Sequence, residues 1–253
     1  MESELLLLLF ATGLMGGVVT ALVGGATLVT FPIMLMAGLP PVAAVASNLV
    51  ALGPANFMAA LADRGRLPPF GKHVRRIMAG AFLAGGAGAG VLLAMPEKAL
   101  EAVVPALIGA ATLLFAFADR IKRHVQRRRQ GAPADMRGVV APSIAVSIYG
   151  GYFGAGLGVM YLALFTLGGV SDLRAANALK NLVNALNSAA AIAIFIVSGS
   201  VDWHATLAML AGGLIGGYSG GFAMRYVAPV VFHRLVTAIG AAMTLVYVWR
   251  FWF

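Results

Sequence analysis

Apolar runs, punctuated by short polar or glycine-rich breaks, fill this chain from end to end. The first runs from about Leu5 to Val23 and is stopped by Gly24-Gly25. A shorter run, Ala26 to Ala37, ends in the turn Gly38-Leu39-Pro40-Pro41. Proline there fixes φ and disfavours helix in the residue before it. Val42–Ala62, Ile77–Met95 and Ala99–Ala118 follow, with a polar loop from Asp63 to Arg76. The longest polar stretch, Asp119–Arg137, divides the chain. Beyond it the order repeats: Val139–Phe153, a break at Gly154, Gly156 and Gly158, a short run to Leu167, and a turn at Gly168–Asp172. Leu173–Val197, a small break at Ser198–Trp203, His204–Met224 and Val227–Val248 complete it. An apolar helix of roughly 20 residues matches the ~30 Å hydrocarbon layer of a bilayer. The predicted fold class is therefore all-α: a polytopic membrane protein with about ten segments, two of them short.

Composition agrees. Charged residues make up 11% and hydrophobic ones 60%, whereas a soluble domain is about 25% charged. So little polar surface cannot cover the chain in water. The net charge of +9 sits in short loops, where it orients a membrane protein, and no basic recognition motif points to nucleic acid. Cysteine is absent, which removes disulfides and thiolate chemistry. The N-terminus starts with Glu2 and Glu4 rather than the positive charge of a secretory signal, so it reads as the first membrane segment.

The halves resemble each other. Ser47-Asn48-Leu49-Val50 matches Lys180-Asn181-Leu182-Val183, and Ala79-Gly80 with Gly85 and Gly88 matches Ala211-Gly212 with Gly217 and Gly220, at offsets of 133 and 132. This reads as an internal duplication: a first repeat over 1–118, a basic cytoplasmic linker over 119–137, and a second repeat over 138–253. Lys and Arg crowd the loop 63–76 and the linker, while the second-half counterpart of that loop holds Asp202 and no base. The positive-inside bias then predicts inverted-topology repeats of about five segments, both termini outside. Arg250, near the C-terminus, runs mildly against it.

Ionisable and amide side chains within apolar runs are the candidate chemistry, because each is costly in lipid. Asn177, Asn181, Asn184 and Ser188 share one helical face, and Lys180, Asn184 and Asn187 an adjoining one. One cation with several amide donors suits a small oxyanion. Two other readings stay open: Asn residues linking helices, and Lys180 snorkelling to the surface. In the first half Ser47 and Asn48 correspond, with Pro54 and Asn56 downstream, and Asn48 is expected opposite Asn181 near the midplane. The breaks at Gly24-Gly25 and at Gly154, Gly156 and Gly158 expose helix N-termini suited to an anion; close helix packing through Gly154 and Gly158 is the other reading. The spacings Gly150–Gly154, Gly86–Gly90, Gly212–Gly216 and Gly216–Gly220 read as helix packing. The stretch from Gly65 to Gly71-Lys72-His73 fails the phosphate-loop spacing. The four histidines are scattered, no metal site or cofactor is expected, and no nucleophile elbow suggests an enzyme. Trp203, Trp249 and Trp252 fall at segment ends as interfacial anchors.

The run Gly17 to Ser47, with Gly24-Gly25, Phe31-Pro32, Gly38-Leu39-Pro40-Pro41 and Ala43–Asn48, resembles the first repeat of the sulfite exporter TauE/SafE family. Gly169–Asn181 and Gly199-Ser200-Val201-Asp202-Trp203 resemble its second repeat. Departures occur at Ala26 and Leu157, within the glycine-rich runs. The resemblance implies a secondary exporter of sulfite, sulfonates or related organosulfur anions in the bacterial inner membrane, driven by a gradient. Its expected partners are the lipid bilayer and a small anion; a homo-oligomer is compatible. The alternatives are a channel-like anion facilitator and a membrane assembly subunit that does not transport.

Overall fold

A computed structural model describes residues 2–22, 24–129, 135–223 and 229–252. Val23, linker residues 130–134 and residues 224–228 with Arg225 lie outside the described residues, as does the side chain of Trp252. Among the described residues every regular element is helical: α1 (Glu2–Leu22), α2 (Thr27–Met36), α3 (Pro41–Ala62), a 3-10 turn (Arg64–Arg66), α4 (Lys72–Ala94), α5 (Glu97–Ala116), α6 (Ala118–Arg129), α7 (Val140–Tyr152), α8 (Leu157–Gly168), α9 (Leu173–Val197), α10 (Trp203–Ala223) and α11 (Pro229–Trp252). Five of these, α1, α3, α4, α5 and α9, contain stretches long and apolar enough to cross a bilayer. Leu7, Leu83, Val197, Leu245 and Trp249 stand exposed around the bundle, as lipid requires and water would not tolerate in such number. The chain is a multi-pass membrane protein.

Local chemistry sets the helix ends. Pro41 opens α3, where a missing N–H costs nothing. The Asp172 carboxylate accepts the N–H groups of Arg174 and Ala175 at the start of α9. Gly156 and Gly169, both at positive φ, bracket α8. One element departs from the sequence expectation. Part of the polar linker forms α6, because no Gly or Pro interrupts 118–129 and Ile121 and Val125 share a face. Val125 is buried, and α6 packs on α8.

The packing of one half is exchanged with that of the other. α1 lies along α10, and α7 along α4. Gly13 meets Met209 and Gly220 meets Ala21, so α1 and α10 run parallel; Gly80 meets Ile144 and Gly88 meets Tyr152, so α4 and α7 do too. A Cβ at Gly212, Gly216, Gly88 or Gly151 would strike backbone across these seams. These glycines permit the close approach that helix association in lipid relies on. Gly90, expected in packing, has open space at its Cβ position. α3 and α9 cross antiparallel at the centre, Gly53 against Ser188 and Ile192, while α5 and α11 pair at the flank.

The short helices form hairpins. Leu5, Leu6 and Leu9 of α1 share a cleft with Ala37, Leu39 and Asp202, so α2 returns to the face from which α1 enters and at which α3 and α10 begin. At the end of α8, Gly168 packs on Met136 and Val139 beside the start of α7. The second hairpin therefore opens on the opposite face, where α4 and α9 begin. That face carries the basic loop 63–76 and α6. On the other face, Arg250 lines a cleft with Glu97 and Glu101, so the arginine that ran against the charge bias lies among acids.

Candidate functional site

The hairpin tips meet inside the bundle. A Cβ at Gly24, where φ is +71°, would lie 2.8 Å from the Cα of Gly158. Beside this contact is a cavity of about 50 Å³, walled by Thr20, Gly24, Gly25, Ala26 and Thr27 from the first hairpin and Gly150, Gly154, Leu157 and Gly158 from the second. α3 contributes Asn48, Leu49, Leu52, Gly53 and Asn56, and α9 contributes Asn184 and Ser188. At ~10–15 Å³ per water on this measure, the space suits a few waters or one compact ion.

Two helices start at this cavity. α2 begins at Thr27 and α8 at Leu157, and neither has a side-chain cap. The N–H groups of Leu28, Val29, Leu157 and Val159 donate back to the carbonyls of Gly25, Ala26, Gly154 and Gly156, and the aligned peptide dipoles place partial positive charge at both starts. Both termini therefore favour an anion. The amides add adjustable groups. Asn184 Nδ2 donates to Asn56 Oδ1 at 3.3 Å, while Asn48 Oδ1 and Asn184 Oδ1 have no hydrogen-bond partner among the described residues. Behind Gly25 stands the Phe115 ring. It stacks on His233, whose Nε2 lies 2.6 Å from the Phe115 carbonyl oxygen.

Of the residues singled out in the sequence, Gly24, Gly25, Asn48, Asn184 and Gly158 line the cavity. The others stand back from it. Ser47 Oγ accepts the Asp202 N–H at 2.9 Å, tying α3 to the start of α10. Gly156 sits against Leu114. Asn187 Nδ2 donates to the carbonyls of Ala81 and Ser147, stitching α9 to α4 and α7. Asn177 Nδ2 donates to the Ala21 carbonyl at 3.0 Å, and Lys180 Nζ to the Thr20 carbonyl at 3.1 Å.

This last pair has a clear physical cause. α1 ends inside the protein, and its final-turn carbonyls have no intrahelical donors. Unsatisfied carbonyls are costly away from water, and α9 supplies an amide and an ammonium to them. Lys180 is fully buried, so it does not snorkel to the surface. It touches the cavity wall through Thr20, which lines it. Asn181 is buried at 1% exposure but lies outside the cavity lining, not opposite Asn48 across it. Gly150, read from sequence as packing, does line it, as does Gly154 of the second glycine break. Thr20 and Thr27 were not singled out, since a lone threonine in an apolar run carries no signal of its own.

Glycine-broken helices whose N-termini face a buried polar cavity are the way secondary transporters hold their substrates. The class is a multi-pass membrane transporter. The chain belongs to the Sulfite exporter TauE/SafE family, which matches residues 9–247. It is similar to a "Probable membrane transporter protein" of Haemophilus influenzae, 28% identical over 95% of this chain and 93% of the relative. It is likewise similar to the "Probable membrane transporter protein YfcA" of Escherichia coli K12, 27% identical over 96% and 90%. A third relative, the "Probable membrane transporter protein ORF9" of Sinorhizobium sp, is 29% identical over 92% and 88%. No solved structure matches significantly.

Proposed function

We propose that this protein is a secondary transporter that exports a small sulfur-containing anion, sulfite or a compact sulfonate, across the inner membrane. The observation carrying this reading is the convergence of two uncapped helix N-termini on one cavity. They supply positive dipole ends without a fixed counter-charge. The ~50 Å³ volume favours an inorganic oxyanion over a longer organic one. The unpartnered oxygens of Asn48 and Asn184 suit a protonated oxyanion such as hydrogensulfite, which offers one donor beside its acceptors.

Alternating access would come from the two halves acting as inverted repeats, with hairpins entering from opposite faces and one substrate site between their tips. The basic face would be cytoplasmic. The driving energy would be an ion gradient, the membrane potential or the substrate's own gradient.

Purified protein in proteoliposomes should take up radiolabelled sulfite saturably, and unlabelled sulfite on the far side should stimulate that uptake. Flux without countertransport stimulation would favour a channel-like facilitator. No flux of sulfite or any other small anion removes the reading.

A further inference from the structure

Asn48 and Asn181 occupy the same place in the duplicated motif, yet their surroundings differ. Asn48 lines the cavity. Asn181 is 1% exposed, lies outside the lining, and neither its Oδ1 nor its Nδ2 has a hydrogen-bond partner among the described residues. Both ends of one amide buried without partners is an expensive arrangement. It contrasts with Asn177, Asn184 and Asn187 on the same helix, each of which donates a hydrogen bond.

Position explains what Asn181 awaits. Along α9 it lies one turn from Asn184 toward the helix start, which is the basic face. Asn48 lies toward the start of α3, which is the other face. The two asparagines thus flank the centre from opposite sides, and the cavity takes in only one. At the level of Asn181, α9 is fastened to the end of α1 by Asn177 on the Ala21 carbonyl and Lys180 on the Thr20 carbonyl.

We infer that Asn181 is the substrate-binding counterpart of Asn48 in the state open to the basic face, and that the end of α1, held by Asn177 and Lys180, is the barrier that keeps it from the cavity in the state seen here. This rests on the transport reading above. The physical basis is exchange: when two similar halves swap conformations about one site, residues in matching places swap environments. Asn181 then gains the partners it lacks, Asn48 withdraws, and the barrier moves from the α1 end to the matching end of α7.

The test uses sidedness. In proteoliposomes of known orientation, Asn181→Ala should raise the half-saturating sulfite concentration at the basic face about five- to tenfold, the worth of about one hydrogen bond, with a much smaller change at the other face. Asn48→Ala should do the reverse. An equal rise at both faces for Asn181→Ala, or none, overturns the inference.

A second measurement needs no transported substrate. The chain has no cysteine, so Asn181→Cys and Asn48→Cys each introduce a single thiol. A membrane-impermeant methanethiosulfonate should modify Asn181→Cys from the basic face only and Asn48→Cys from the other face only. Asn181→Cys that reacts from neither face, or equally from both, overturns the inference. Wild-type protein with no anion flux but with this labelling pattern would instead defeat the sulfite reading and leave the exchange of faces standing.

Discussion

Gly24 allows the contact between hairpin tips to be weighed against backbone strain alone. Its φ is +71°, and an added Cβ would sit 2.8 Å from the Cα of Gly158, 3.5 Å from the Gly158 carbonyl carbon and 3.5 Å from its nitrogen. Gly199 has nearly the same φ, +70°, with nothing within 4 Å of the added atom. Alanine at either position meets the left-handed penalty of about 1–2 kcal/mol. Only at position 24 does it also press on the backbone of a second helix, which cannot turn aside as a flexible side chain would. Overpacking of that kind costs about 1–3 kcal/mol.

Gly199→Ala should therefore lose about 1–2 kcal/mol of unfolding free energy, and Gly24→Ala about 2–5 kcal/mol from the two terms together. Equilibrium unfolding in bicelles, read by steric trapping, measures both. Sulfite flux from the same preparations should stay near wild type for Gly199→Ala and fall sharply for Gly24→Ala, whose shifted tip distorts the first turn of α2 at the cavity. Equal destabilisation by the two substitutions would refute the claim that the tips bear on each other. Normal flux in Gly24→Ala would refute the claim that their contact shapes the site.

Other residues give independent checks. Asn187→Leu removes two inter-helix donations to Ala81 and Ser147, at an average of about 0.6 kcal/mol each in membranes. It also removes an Oδ1 with no partner, so the net loss should stay under about 2 kcal/mol; a loss well above that in the same unfolding assay would show that Asn187 does more than link helices. Lys180→Met should change stability little, because deleting a buried charge offsets the lost hydrogen bond to Thr20. It should cut sulfite flux severalfold, because the end of α1, which carries Thr20 of the cavity wall, loses the donor that fixes it; unchanged flux would relieve Lys180 of any part in transport. Ser47→Ala frees the Asp202 N–H and should lower stability by about 0.5–1.5 kcal/mol, with the sulfite half-saturation unaltered; a large change in half-saturation would place Ser47 nearer the substrate than its contacts do.

Much of the architecture was legible in the chain because lipid leaves so few options. Backbone groups in hydrocarbon must bond internally, so long apolar runs become helices, and the ends of α3, α5 and α9 fall within about two residues of the polar breaks. The glycine breaks were equally plain, since only glycine readily takes the positive φ found at Gly24, Gly25, Gly154 and Gly156. The helix α6 was obscured by its charge, its three apolar residues being too few to stand out among the bases.

The sequence by itself determined a helical membrane protein, with an amide-rich face on α9 and two broken helices, because burial in lipid imposes a pattern on every residue. Only the tertiary structure decided which polar group serves which partner. Asn177 and Lys180 satisfy the end of α1, Asn187 joins α4 to α7, Asn184 meets Asn56 beside the cavity, and Asn181 has no partner among the described residues. Helical spacing says that such residues share a side. It cannot say whether a carbonyl, another amide or open space stands opposite, because those are supplied by helices 40 to 160 residues away in the chain.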